Sequence, residues 1–323
     1  MTAVATLLLP PRARFGAQRV SEPTAKAFGR ADRVDVTGTQ RSRVLDILPR
    51  GWPLAAVTRQ RDAGDAMNAA WLRADPAHIR AELNGARLMA YGDALQLTQD
   101  DVDAFLPALK PLFGDSGALI DAPVPSRWYL RLPPGAKLPR FSSPDEALGA
   151  DLFDQLPGVA GDDPLGRRWR ALLSDAQVAL HNHPHNAERV RRGLTPVNSL
   201  WFWAPGVLPD HVMTDHAHFS SDDDGLRAFV AMTKATHGPL APRWSQIDGA
   251  HVIDLRHAID IARVDAEWIA PALADVLSGA LDRLVLDFDD GGRFVFLRRQ
   301  RWRFWRRPLT HVGLGAAAPL DAA

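Results

Sequence analysis

The 323-residue sequence contains no cysteine, and that one absence excludes disulfide bridges, thiolate metal ligands and cysteine nucleophiles together. It has no excess of either charge. With 38 Lys plus Arg against 38 Asp plus Glu, no global field draws the chain to nucleic acid or an anionic membrane, and any electrostatic selectivity has to be local. No run approaches the roughly 20 apolar residues of a membrane-spanning helix. The apolar opening at 4–9 is short for an export signal, lacks a basic start and stops at Pro10-Pro11, so the expected location is the cytoplasm, with no membrane partner. A Walker loop, a dinucleotide fingerprint and a Gly-x-Ser-x-Gly elbow are missing too. What is present is an ordinary globular composition, 46% apolar and 24% charged, long enough for one large domain or two connected lobes.

Short apolar runs alternate with helical periodicity, which argues for α/β architecture. Residues 4–9 read as a buried parallel strand at the centre of a sheet. Residues 22–33 suit a helix with Pro23 in its first turn, and 44–57, broken by Pro49, Gly51 and Pro53, read as irregular. Residues 78–83 and 87–91 read as a hairpin about Asn84-Gly85, because that pair supplies the positive φ of a tight turn. Thr98 and Asp101 stand at capping-box spacing ahead of Val102, Phe105, Leu106 and Leu109, so a helix starts there. With an alternating strand at 126–132, residues 71–150 form a candidate inserted α+β lobe. A connector at 151–164 leads to a helix over 164–180, with Trp169, Leu173, Ala176 and Leu180 on one face. Strands at 199–203 and 251–255, helices at 224–236 and 266–277, and a closing hairpin of 284–288 with 293–305 complete a core lobe made of 1–70 and 165–323.

The stretch 181–206 concentrates polar chemistry directly before an apolar strand. Arg189, Arg191 and Arg192 offer forked donors suited to phosphate or carboxylate, and Asn186 and Asn198 add neutral donors. Equally, His183-Pro184 could cap a helix whose arginines face water. His181, His183 and His185, with Asp215, His216 and His218 further on, could supply imidazole to a metal, although Pro184 divides the first group and no HExxH helix supports it. Asp222-Asp-Asp224 is more simply a helix cap. The segment 294–307 interleaves arginines with aromatics; base stacking is one reading, and a strand with Arg299, Arg301 and Arg303 on one face and Trp302 and Phe304 on the other is the cheaper one.

One pattern carries a resemblance. His183-Pro-x-Asn186-x-x-Arg189-x-x-x-Gly193-x-x-Pro196-x-Asn198, entered from a helix and left by an apolar strand ending Trp203-Ala-Pro-Gly206, resembles a segment of archaeal-type cofactor-independent phosphoglycerate mutases, members of the alkaline phosphatase superfamily. Leu72-Arg73-Ala-Asp75 and Ser126-Arg127-Trp-Tyr-Leu-Arg-Leu132 are similar to parts of those enzymes' inserted lobe. Over nearly its full length the chain also resembles bacterial proteins described either as phosphoglycerate mutase or as RpfE-type regulatory protein of a diffusible-signal gene cluster. The resemblance implies an alkaline-phosphatase-like sheet core flanked by helices, with an inserted α+β lobe.

The mutase reaction needs two divalent metal ions such as Mn or Zn and a serine nucleophile. Here the first strand runs into Pro10-Pro11 instead of an Asp-Gly turn, no aspartate precedes Asp32, and the region 284–292 holds Asp287, Asp289 and Asp290 without a histidine. The resemblance therefore implies a catalytically degenerate protein with no cofactor and no assignable catalytic residue. It would bind a phosphorylated or carboxylated small molecule, or a protein partner, in a regulatory role. The expected contacts are His183, Asn186, Arg189 and Asn198, with Arg73 and Arg127 reaching from the inserted lobe. The alternative is an active mutase or phosphohydrolase with a metal site rebuilt from His181, His185, Asp215, His216, His218 and Asp222. Nucleic-acid binding through 298–307 is a third, weaker expectation.

Overall fold

The run at 4–9 is strand β1 (Val4–Leu9), and every one of its residues is buried. It lies at the middle of a seven-stranded mixed sheet with β2 (Asp32–Asp35), β10 (His218–Ser220), β11 (Thr236–Gly238), β12 (Ala250–Asp254), β13 (Arg283–Phe288) and β14 (Gly292–Phe296), in the order β11-β10-β12-β1-β13-β14-β2. From β11 to β13 all strands are parallel; β14 and β2 complete the edge antiparallel. A separate pair joins β3 (Asp46–Leu48) to β9 (His211–Met213). The computed structural model describes residues 2–82, 85–158 and 163–313.

One face of this sheet is covered by helix α1 (Glu22–Arg30) and by α10 (Ile261–Val264), which passes through a π-turn into α11 (Ala270–Ser278). Ala5, Leu7, Leu9, Leu284, Leu286 and Phe288 meet Phe28, Trp268 and Leu273 there in one apolar core. Each such buried large side chain contributes roughly 1.5–3 kcal/mol by leaving water. Short α2 (Gln40–Val44), capped by Thr39, and α9 (Asp224–Val230), capped by Asp223, complete the helices of this unit, which comprises Met1–Arg50 and His211–Ala323.

The second unit, Gly51–Asp210, is built on β4 (Ala70–Glu82). That strand pairs antiparallel with β5 (Gly85–Tyr91), β7 (Arg127–Leu132) and β8 (Ser199–Val207), while β6 (Leu119–Val124) pairs with β7. Its helices are α3 (Leu54–Ala63), α4 (Gln99–Asp115), the one-turn α5 (Pro144–Ala147) and α6 (Leu152–Gln155), α7 (Pro164–His181) and α8 (Pro184–Arg191). The capping box of α4 forms as the spacing predicts, and Val102, Phe105, Leu106 and Leu109 are buried with Trp169, Leu173 and Leu180 of α7.

Three expectations need correction. The inserted unit is wider than 71–150: β8 pairs with β4 from Ala70 to Ala77 and α7 packs on the same core, so 165–210 belong with it, as does α3. The region 44–57 is not irregular, since β3 and the start of α3 occupy it; Pro53 stands before the helix, and Ala55, Ala56 and Val57 are buried against its surroundings. The strand expected over 293–305 ends at Phe296 and becomes a 3-10 turn over Arg298–Trp302, because β2 pairs only with 292–295 and offers no further ladder. Asn84 of the expected hairpin turn, and 159–162 of the connector, lie outside the described residues.

Candidate functional site

Parallel strands deliver their carboxyl ends to one edge, and in open α/β sheets that edge is where ligands bind. Here it is crowded with paired charges. Near the end of β13, Asp287 is completely buried: Arg43 of α2 donates from Nη2 to Oδ1 at 2.6 Å and from Nε to Oδ2 at 3.0 Å, and Arg293 Nη2 donates to Oδ2 at 2.5 Å. Gln40 Nε2 donates to the main-chain oxygens of Leu9 at 2.8 Å and Asp287 at 2.6 Å, tying the ends of β1 and β13 together. Beyond β1, Arg12 Nε donates to Asp290 Oδ2 at 2.8 Å across a turn whose Gly291 has φ of 88°, a conformation that favours glycine.

Asp254, ending β12, is held the same way. Arg256 grips both of its oxygens at 2.7 and 2.6 Å, and Ser221 Oγ donates to Oδ2 at 2.6 Å. Arg256 also reaches Asp223 at 2.8 Å, and Asp223 caps α9 through the amides of Gly225 and Leu226. Burial pushes the Asp254 carboxyl up, but the hydrogen bonds and charge of Arg256 with the Ser221 hydroxyl more than offset this, leaving it below the usual carboxylate range. None of these arginines was anticipated from the sequence. The available signal was positional: Arg12, Arg256 and Arg293 each follow a strand end of the sheet within a few residues.

The residues expected to hold an anion lie in the second unit, and they are spent on the fold. Arg189 has no exposed surface; its guanidinium donates to Asp101 Oδ2 at 2.7 Å, Leu95 O at 2.6 Å and Thr195 O at 3.1 and 3.0 Å. Asp101 also receives His185 Nε2 at 2.7 Å. Burial raises the pKa of Asp101, yet the Thr98 amide, Arg189 and His185 outweigh it and bring it to about 2. Asn186 is likewise internal, donating to Leu180 O and Val197 O at 2.7 and 2.8 Å and accepting from Val197 N at 2.9 Å. His183 is the N-cap of α8, the blander of its two readings, and its ring meets Phe105 at 5.0 Å. Asn198 extends the β4 ladder by accepting from Ile79 N and donating to Ile79 O.

Arg73 and Arg127 are brought together around Tyr129, each on a carboxylate of its own. Arg73 forks onto Asp75 at 2.9 and 2.8 Å and lies over the rings of Tyr129 and Trp203; Arg127 forks onto Asp62 at 2.7 and 3.0 Å, where Tyr129 Oη also donates at 2.6 Å. The picture of guanidinium groups converging on one external anion is therefore corrected: Arg73, Arg127 and Arg189 pair internally with Asp75, Asp62 and Asp101.

The residues of the alternative metal site are divided between the two units. His181 and His185 fall in one unit and Asp215, His216, His218 and Asp222 in the other, and Asp222 Oδ1 accepts from Leu240 N at 3.0 Å. Among the described residues no group of three or more His, Asp or Glu is disposed to hold a metal. Ser220 Oγ lies 2.9 Å from His251 Nε2, and burial, with His218 and His216 nearby, lowers the His251 pKa to about 4.

Comparison with known proteins adds a partial match. Over 66 residues, 20% of the chain, the sequence is 36% identical to the 2,3-bisphosphoglycerate-independent phosphoglycerate mutase of Methanosarcina acetivorans and 35% identical to that of Methanothrix thermoacetophila. The chain is distantly similar to the cofactor-independent phosphoglycerate mutases. The match spans 16% of the length of those relatives. No protein-family model matches the chain. Among solved structures, the cofactor-independent phosphoglycerate mutase of Thermoplasma acidophilum superposes with a TM-score of 0.40 at 13% identity, covering 92% of this chain and 90% of that one. A Pyrococcus horikoshii protein gives 0.42 at 10% identity, covering 92% and 88%.

The mutase resemblance implies a pair of divalent metals, and the donor set at the carboxyl edge does not fit them. A carboxylate binds a cation through free lone pairs, but both oxygens of Asp254 and of Asp287 already accept guanidinium hydrogens. A metal would have to displace a fixed positive charge from each.

Proposed function

We propose that this chain is a catalytically degenerate relative of the cofactor-independent phosphoglycerate mutases that acts by binding, in a regulatory role. The observation that carries this reading is the buried Asp287 carboxylate, shared between Arg43 and Arg293 at the edge where phosphoryl chemistry would need metal ligands. A phosphoryl transition state is stabilised by cations aimed at its equatorial oxygens. The cations at this edge are aimed at aspartates.

Between a phosphorylated or carboxylated small molecule and a protein partner, the reading favours the protein partner, because Arg73, Arg127 and Arg189 are each occupied by a separate carboxylate. The test is conversion of 3-phosphoglycerate to 2-phosphoglycerate by the purified chain with Mn, Zn or Mg supplied, alongside elemental analysis. The expected outcome is no turnover and no stoichiometric metal. Turnover with bound metal would refute the proposal.

A further inference from the structure

Residues 298–307 carry six arginines and no acidic residue, in a chain whose charges balance only when these six are counted. After the 3-10 turn the backbone crosses α1 closely: Leu309 N donates to Ala25 O at 2.9 Å, and the Arg307 carbonyl oxygen would lie 2.1 Å from a Cβ at Gly29. On this anchored backbone three large aromatic side chains stand in solvent, Trp302 at 65% exposure, Phe304 at 77% and Trp305 at 68%. The same turn helps line an apolar groove of about 360 Å³ beside α1 and α11, with Ala27, Leu273 and Phe296 in its wall and Lys26, Arg30 and Arg301 among its lining cations.

The patch stays positive after its neighbours are counted. Among the described residues, the only ion pair made by the six arginines is Arg303 with Asp32, at 2.5 Å. Of the acids on the packed elements, Glu22 is paired with Lys26 at 2.7 Å, while Asp275, which accepts from Trp244 Nε1 at 2.7 Å, and Asp35 of β2 keep their charge and are outnumbered by the arginines. Exposed indole and phenyl rings interleaved with arginine suit a surface that is apolar beneath and anionic above.

We propose that residues 298–307, with the adjoining groove, dock this protein on an anionic lipid bilayer. Arginines meet headgroup phosphates, the three rings enter the interface, and the groove accepts part of an acyl chain. Two other partners fit less well. Serial base stacking needs open, parallel ring faces, but Arg301 lies over Trp302 at 4.8 Å and Phe304 meets Trp305 edge-on at 81°. A second copy of the chain docking through the same patch would place like charges against each other.

The test uses the full chain and needs no turnover. Vesicles of phosphatidylcholine with one third phosphatidylglycerol should co-sediment the protein and phosphatidylcholine alone should not, with release at about 1 M salt, where the screening length is about 3 Å. Each arginine withdrawn weakens binding about fivefold, so R299Q/R306Q should lose roughly 25-fold. W302A/F304A/W305A should abolish binding with an unchanged urea midpoint. The proposal is overturned by no binding to anionic vesicles, by equal binding to neutral ones, or by variants that bind as the parent does. Conversion of a dimer to a monomer by the aromatic variant, or patch-dependent binding of a single-stranded oligonucleotide in place of vesicles, overturns it as well.

Discussion

Arg43→Met tests whether fixed guanidinium groups have taken over the carboxyl edge. The Arg43 side chain is 7% exposed and that of Asp287 not at all, so the substitution strips a buried carboxylate of its bidentate partner. Breaking a buried pair from one side typically costs 3–5 kcal/mol; Arg293 remains on Oδ2, which places the expected loss at about 3 kcal/mol. In a urea titration followed by circular dichroism, with m of roughly 3 kcal/mol/M, the midpoint should fall by about 1 M without a change in slope. The double variant Arg43→Met/Asp287→Asn should recover more than about 1 kcal/mol of the summed single losses, because the pair is in direct contact. A loss for Arg43→Met within about 0.5 kcal/mol of zero refutes the reasoning. So does a rise in the parent midpoint when excess MnCl2 or ZnCl2 is added, since a cation bound only to the folded state stabilises it by mass action.

Two further predictions concern other parts of the fold. Asp101 has a folded pKa of about 2, below its unfolded value near 3.9, so its stabilisation is complete above about pH 5 and is lost as pH falls through 2; the loss should be about 2–3 kcal/mol, and Asp101→Asn should flatten that slope in urea titrations across the window. Gly29→Ala would press a Cβ onto the Arg307 carbonyl, which is backbone and cannot rotate away, so a cost of about 1–3 kcal/mol and faster proteolysis after the arginines of 298–307 are expected.

Much of the architecture could be read from local pattern, where partners are close in sequence. The all-apolar run of β1, the Thr98/Asp101 capping box and the apolar face of α7 each encode their element within a few residues. The site was less legible for a physical reason. A guanidinium suited to an external anion and one suited to an internal carboxylate look alike in sequence, and the deciding partner lies far away: Asp101 is 88 residues from Arg189, and Asp287 is 244 from Arg43. The Arg-aromatic segment misled through its alternation, which has the period of a strand but lacks a neighbour to pair with. Helix α3 went unseen because Ala55, Ala56, Val57 and Thr58 are all buried, leaving no polar face to set a period.

The amide of Gln40 gives its hydrogens to carbonyls at the ends of two neighbouring strands, Leu9 of β1 and Asp287 of β13. A side chain so placed works as a clasp that fixes the spacing of the two strands where they leave the sheet. Shortening Gln40 would leave both carbonyls, in a buried setting, to find other donors.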